Sequence, residues 1–350
     1  MIELEELPEL VDPVMIAAFE GWNDAADAAS NAVHHLAEVL GAEVFGSMDA
    51  EDYYDFQVNR PTLVVDDEGE REILWPTTRF SVARVPIQHR PGKPGIGFDP
   101  NRLGAEEFTT GEFTPGEFTA DDLTADHFAS PPVGSAANGE PRFRHLVLLH
   151  GIEPNMRWRS FGEEIFELAR DLGVNTIVCL GALLADVPHT RPVPVSGSST
   201  DPELRGAHNL DKPTYQGPTG INGVLQEMAR HEEVELISFW AAVPHYVAQA
   251  PCPKATLALL RRIEDVLDLS VPLADLPTEA LAWETSVDEL AADDTEVAEY
   301  VRTLEEAKDT ADLPEASGEA IALEFERYLR RHERRGGEDG PVAGSGERPA

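Results

Sequence analysis

Val14-Met15-Ile16-Ala17-Ala18-Phe19, then Glu20-Gly21-Trp22-Asn23-Asp24, then an alanine-rich stretch, is the passage that decides the fold. The apolar run after Pro13 reads as a buried strand. Gly21 and its polar neighbours break it. Ala25, Ala29, Ala32, Val33, Leu36 and Leu40 then recur at the spacing of one helix face, with Asp24 as N-cap and Gly41 as stop. Strand, glycine-containing turn and helix open an α/β unit.

The same texture returns later in the chain. Leu146-Val147-Leu148-Leu149-His150 is a buried strand, followed by a loop to a capping box at Ser160-Phe161-Gly162-Glu163 and a helix to about Asp171. Thr176 to Leu180 and Glu235 to Trp240 read as further strands. Ile221 to Arg230 and a segment opened by Pro253 read as helices. Alternating strands and helices predict a three-layer α/β/α core around a mostly parallel sheet.

Two regions interrupt that pattern. Thr62 to Val65 and Arg71 to Trp75 flank an acidic loop and predict a β-hairpin, and Phe80 to Val85 could be a third strand. Five five-residue units with Phe or Leu at their third position fill 106–130, too few to stack as a solenoid. They read as an expanded surface loop. The expected organisation is therefore a core over 1–270 carrying an insertion at 61–141, a helical region at 271–335 and a polar tail at 336–350. Val297, Tyr300, Val301 and Leu304 form one apolar stripe of the helical region; Ile321, Phe325, Tyr328 and Leu329 form another.

Composition excludes several functions. The chain has 350 residues, 27 Lys+Arg against 65 Asp+Glu, and a formal net charge of −38. Such a surface repels nucleic-acid phosphates and anionic membranes. No apolar run approaches the roughly 18 residues of a membrane span. The acidic N-terminus lacks the pattern of a secretory signal, so the expected compartment is the cytoplasm. Two cysteines allow no disulfide framework and no four-thiolate metal site.

In open α/β sheets ligands collect beyond the carboxyl ends of the strands. Trp22, Asn23 and Asp24 follow the first strand, His150 and Glu153 the next, His189 and Arg191 another, and His245 the last. Gly217, Thr219 and Gly220 precede a helix, where backbone N–H groups could cradle an anion or simply form a capped turn. These residues are the expected lining of a small-ligand pocket. Three histidines beyond three strands could in principle hold zinc, but no ligand spacing supports it. Neither metal nor cofactor is expected, and no catalytic residue is assigned.

Taken as an ordered series, several blocks resemble the proteasome assembly chaperone 2 family in its actinobacterial form. They are Phe19 to Ala28, Tyr54-Asp55-Phe56-Gln57 with Arg60-Pro61, and Gly151-Ile152-Glu153-Pro154 with Arg157-Trp158. Val187 to Pro192, Tyr215 to Gly220 and Val243 to Val247 complete the series. The resemblance implies a phosphorylase- or hydrolase-like α/β/α core, an oligomerising hairpin giving a homotrimer, and a C-terminal helical lid. It implies no catalytic residues. The expected function is an oligomeric ligand- or protein-binding protein without chemistry of its own, with a proteasome subunit as possible partner. The alternative is a hydrolase or nucleoside-phosphorylase-like enzyme acting at the strand-end pocket, with His150, His189 or His245 and Asp24 or Glu153 as acid and base.

Overall fold

The computed structural model describes residues 2–4, 9–65, 69–87 and 143–312. The elements in chain order are β1 (Ile2–Leu4), β2 (Val14–Glu20), α1 (Ala28–Val39), β3 (Glu43–Met48), α2 (Ala50–Tyr53), β4 (Thr62–Val65), β5 (Arg71–Leu74), β6 (Thr78–Pro86) and β7 (Phe143–Ile152). They continue with α3 (Trp158–Asp171), β8 (Thr176–Ala185), β9 (Val195–Ser199), α4 (Pro202–His208), α5 (Ile221–Met228), β10 (Glu235–Pro244), α6 (Pro253–Leu267), α7 (Leu276–Asp293) and α8 (Thr295–Asp312). The five-residue repeat, the 321–329 stripe and the tail lie outside the described residues.

Eight strands form one sheet in the order β1-β3-β6-β7-β2-β8-β10-β9. Its centre, β7-β2-β8-β10, is a parallel ladder. β3 shares that direction, whereas β1, β6 and β9 oppose it. Along β2 the side chains alternate between two cores. Val14, Ile16 and Ala18 pack with α1 and α6 on one face; Met15, Ala17 and Phe19 pack with α3 and α5 on the other. A strand buried on both faces has no polar side to show, which is why its sequence reads as an unbroken apolar run. The expected three-layer α/β/α architecture is the observed one.

Several local expectations change. β6, expected inside the insertion, is a full strand of the central sheet, paired with β7 over its whole length. β9 runs through Ser196, Gly197, Ser198 and Ser199, outside the strands expected from the sequence. The edge of β10 offers it unpaired backbone groups, and Gly197 leaves room for the Phe239 ring, 2.6 Å from where a Cβ would stand. α3 starts at Trp158 rather than at a Ser160 cap: Arg157 takes φ 56° and Trp158 Nε1 donates to Pro154 O at 2.6 Å, which turns the chain earlier. β4 and β5 pair only with each other among the described residues, as the hairpin reading requires.

The chain divides into two compact units, 1–290 and 291–350. The first includes most of α7, whose Leu276 and Ala280 join the core on the α1/α6 face. In the second, α8 opens on Asp294, whose carboxylate accepts from Glu296 N at 2.9 Å. No helix among the described residues is long and apolar enough to cross a membrane.

Candidate functional site

β2 and β7 are neighbours, yet the chain leaves β2 toward α1 on one face and leaves β7 toward α3 on the other. That divergence opens a crevice at their carboxyl ends, the place where an α/β sheet offers a binding site. Asn23 and Glu153 meet there: Asn23 Nδ2 donates to Glu153 Oε1 at 2.8 Å. The same carboxylate oxygen accepts from Ile221 N at 2.7 Å, so Glu153 caps α5. Gly220 precedes that turn, and a Cβ there would stand 2.2 Å from Asn23 Oδ1. A glycine is therefore required for the helix start to approach the β2 loop.

Asp24 is committed as well. Its two carboxylate oxygens accept from Ala29 N at 2.6 Å and Ser30 N at 3.0 Å, closing the first turn of α1 from four residues upstream of the helix. The residue is 4% exposed. Burial raises its pKa despite those hydrogen bonds, which act in the opposite sense. Asn23 O meanwhile accepts from Ala182 N at 2.8 Å, stitching the loop to the end of β8. Asn222, 1% exposed, uses its amide nitrogen on Leu180 O at 2.9 Å. Among the described residues, the side-chain oxygens of Asn23 and Asn222 have no hydrogen-bond partner.

The other expected residues lie around this cluster. His150 Nε2 stands 3.4 Å from Glu20 Oε1, and its ring is 5.5 Å from that of His34 on α1. Burial, then the nearby His34 and Arg79, push the His150 pKa down to about 4. Glu20 is raised by burial first, then by Asp24 and Asp27. His150 stays neutral in the folded protein while the unfolded chain protonates near 6.5. It therefore contributes stability that is full above pH 6.5 and is lost as pH falls toward 4, about 3 kcal/mol in all. His150→Gln is expected to flatten the pH dependence of urea unfolding across that window; an unchanged slope would show that another group carries it.

His189 is 2% exposed and fully engaged. Its Nε2 donates to Asp288 Oδ1 on α7 at 3.0 Å, and its Nδ1 accepts from the Tyr246 hydroxyl at 2.8 Å. That hydroxyl in turn accepts from His189 N, which completes one consistent tautomer. Lys254, at the start of α6, donates to His189 O and pairs with Glu284 on α7. Glu284 and Asp288, four residues apart on one helix face, thus tie α7 to the loops after β8 and β10. Lys254→Ala is expected to loosen residues 276–290 by about 1–2 kcal/mol, read as faster amide exchange confined to that segment.

His245 Nδ1 stands 3.1 Å from Asp186 Oδ1, and its ring lies 5.8 Å from that of Tyr246. Arg191 Nη1 donates to Thr190 Oγ1 at 3.3 Å. Trp22 is 75% exposed on the outer surface of the β2 loop. Gly217 lies beside Tyr215, whose hydroxyl donates to Pro218 O at 2.9 Å, and Thr219 Oγ1 crowds Gly223 within the first turn of α5. Asn23, Asp24, Glu153 and Gly220 are thus brought together, and His189 and His245 flank Tyr246. His150 groups with Glu20 and His34, and Glu20 O accepts from Glu153 N at 3.1 Å. Among the described residues no group of three or more His, Cys, Asp or Glu could hold a metal. Cys179 and Cys252 are buried thiols, the first pushed up to about 12.

Sequence reasoning missed Glu20, Lys254, Asn222 and His34. Glu20 closes an apolar strand, and Lys254 follows the proline that opens α6, so both positions were legible. Nothing in the sequence signals that Asn222 reaches β8.

Comparison with known proteins bears on this arrangement. A family model described as PAC2 family matches residues 18–291. A crystal structure of a PAC2 family protein from Streptomyces avermitilis is 49% identical, covering 83% of this chain and 99% of that one, with a TM-score of 0.64. A proteasome-assembly chaperone homologue from Mycobacterium tuberculosis is 44% identical, covering 82% and 99%, with a TM-score of 0.60. The archaeal proteasome activator PbaB from Pyrococcus furiosus, 13% identical with a TM-score of 0.53, shares the fold. No curated protein matches the chain.

Proposed function

Because this chain belongs to the PAC2 family, we propose that it acts by binding protein, as an assembly factor for proteasome subunits, and not through a reaction at its strand ends. The observation that carries this reading is the state of the two strand-end carboxylates. Both oxygens of Asp24 accept from backbone N–H groups of α1, and Oε1 of Glu153 accepts from Ile221 N and the Asn23 amide. A general base needs a lone pair aimed at a substrate proton, and these three oxygens are aimed at the protein's own donors. The hydrolase or phosphorylase alternative, which needs one of them free, is therefore not favoured.

The similarity to a chain described as a proteasome-assembly chaperone homologue supplies the partner class. A net charge of −38 supplies a long-range attraction for basic protein faces and a repulsion for nucleic acid. The working form is a homo-oligomer, a trimer, in the cytoplasm, with residues 276–290 of α7 as a lid over the strand-end crevice. A small ligand in that crevice would be a passenger of assembly.

The test mixes the purified full-length chain with α subunits of an actinobacterial proteasome and follows both by native mass spectrometry. A complex that weakens with added salt, together with altered ring assembly, is the expected result. No complex at roughly 50 μM, with an unchanged assembly rate, removes the role; that concentration detects even weak transient binding.

A further inference from the structure

Two buried carbonyl oxygens at the strand-end crevice take no donor. Asn23 and Asn222 are each 1% exposed, and among the described residues neither Oδ1 accepts a hydrogen bond. The orientation of both amides is fixed. Asn23 Nδ2 donates to the Glu153 carboxylate and Asn222 Nδ2 donates to Leu180 O, and both of those partners can only accept. Turning either amide over would set oxygen against oxygen, so the unpaired atoms are the oxygens. A buried carbonyl left unpaired is costly, and two in one cluster call for a donor from outside the chain.

The cluster is compact. Glu153 Oε1 accepts from both Asn23 Nδ2 and Ile221 N, and Asn222 is the next residue of α5. Ala182 N and Leu180 O, which bond Asn23 O and Asn222 Nδ2, lie two residues apart on one edge of β8. Gly220 keeps the Asn23 oxygen clear, since a Cβ there would stand 2.2 Å from it. Glu153 Oε2 takes no hydrogen bond from the described residues. Three oxygens are therefore open, one of them on a carboxylate. The rim carries the same sign: Glu20, Asp24 and Asp27 lie close enough to act on one another's charges. Trp22, next to Asn23, is 75% exposed.

Three acceptors bearing one negative charge are the counterpart of a group with three donors and one positive charge. We propose that the crevice binds the ammonium head of a primary amine, held by Asn23 Oδ1, Asn222 Oδ1 and Glu153 Oε2, with Trp22 beside the carbon chain. Other chemistries fit less well. An anion meets only lone pairs. An alcohol brings one donor, and a water two donors without charge. A quaternary ammonium brings charge without donors. The net charge of −38 concentrates cations around the molecule, and an exposed indole suits the methylenes or the charge of such a ligand. Once bound, the ammonium ties the β2 loop, the end of β7 and the start of α5 to one point. This names the class of small ligand and does not rest on proteasome binding, which is scored separately by native mass spectrometry.

The test is a thermal-shift titration of the full chain at fixed ionic strength. n-Butylammonium at roughly 20 mM is expected to raise Tm by about 3 °C along a saturating curve, as a ligand with a Kd of roughly 1 mM would. Butanol, butyltrimethylammonium and potassium chloride lack the charge, the donors and the carbon chain respectively, and are expected to leave Tm unchanged. Glu153→Gln keeps an acceptor for Ile221 N but removes the charge, and Asn222→Leu removes one oxygen. Each is expected to weaken butylammonium at least tenfold, with urea unfolding confirming that the variant folds. Nα-acetyl-lysine methylamide carries the same head on a peptide. Tighter binding than butylammonium assigns the site to a lysine of a protein partner, weaker binding assigns it to a free amine, and both support an ammonium site. An equal shift from butyltrimethylammonium or potassium would reduce the effect to charge alone and overturn the site. Folded variants that bind like wild type, or no shift with either amine, would overturn it too and leave the two oxygens to internal water. If neither variant folds, the wild-type probe series decides by itself.

Discussion

Gly151→Ala is expected to destabilise the protein by about 3 kcal/mol or more. A Cβ at this position would stand 2.3 Å from Thr77 O and 2.6 Å from Thr78 Cα. Both are backbone atoms, at the first residue of the paired strand β6 and the one before it, so no rotamer change relieves the overlap. β6 must separate from β7 at the point where Tyr54 Oη bonds Thr78 Oγ1 at 2.7 Å and Ile152 O at 2.9 Å. The change would therefore also unseat the root of the hairpin. Chemical denaturation measures the loss. Gly206→Ala is the control, since a Cβ there meets nothing within 4 Å, and it is expected to be neutral or slightly stabilising. A Gly151→Ala protein as stable as that control would mean that β6 and β7 do not approach as described.

Asp24→Ala is the second large effect, about 2–4 kcal/mol. It strands two buried N–H groups, of Ala29 and Ser30, at the start of a helix whose face is wholly buried. Asp24→Asn keeps one acceptor oxygen and is expected to recover more than half of the loss. The sign of the pH dependence reports the burial of this carboxylate. A folded-state pKa raised by burial means the charged form opposes folding: its contribution is most favourable below the unfolded value of 3.8 and declines as pH rises through the folded value. Wild type should therefore show that decline and Asp24→Asn should lack it. If Asp24→Ala is instead fully stable while a function is lost, the carboxylate is not a cap.

Most of the core was legible because burial on both faces writes a simple code. β2, β7, β8 and β10 are continuous apolar runs, and α1 and α6 carry one-sided spacing. The hairpin was legible because turn residues separate its two runs. β3, with Val44 exposed and Gly46 inside, has no such code: it becomes a strand only because β6 offers an edge. β9, made of serines and glycine, is likewise defined by its neighbour. The candidate site was legible as a location. Asn23, Asp24 and Glu153 were all marked by following apolar strands, and they do meet at the β2/β7 crevice. Their occupation was not legible. Whether a carboxylate faces a substrate or a helix depends on where α5 begins, and Gly220 sets that through a contact with a residue nearly two hundred positions away.

β6 and β7 end and begin side by side at Pro86 and Phe143, at the amino edge of the parallel ladder. Chain added between them enters and leaves at one point, a full strand length from the crevice. Loop closure costs only about 0.6 kcal/mol for each doubling of length, so this junction tolerates growth by tandem duplication with little penalty to the scaffold. It is also where a fluorescent reporter or an affinity handle could be spliced in while the opposite end keeps its shape.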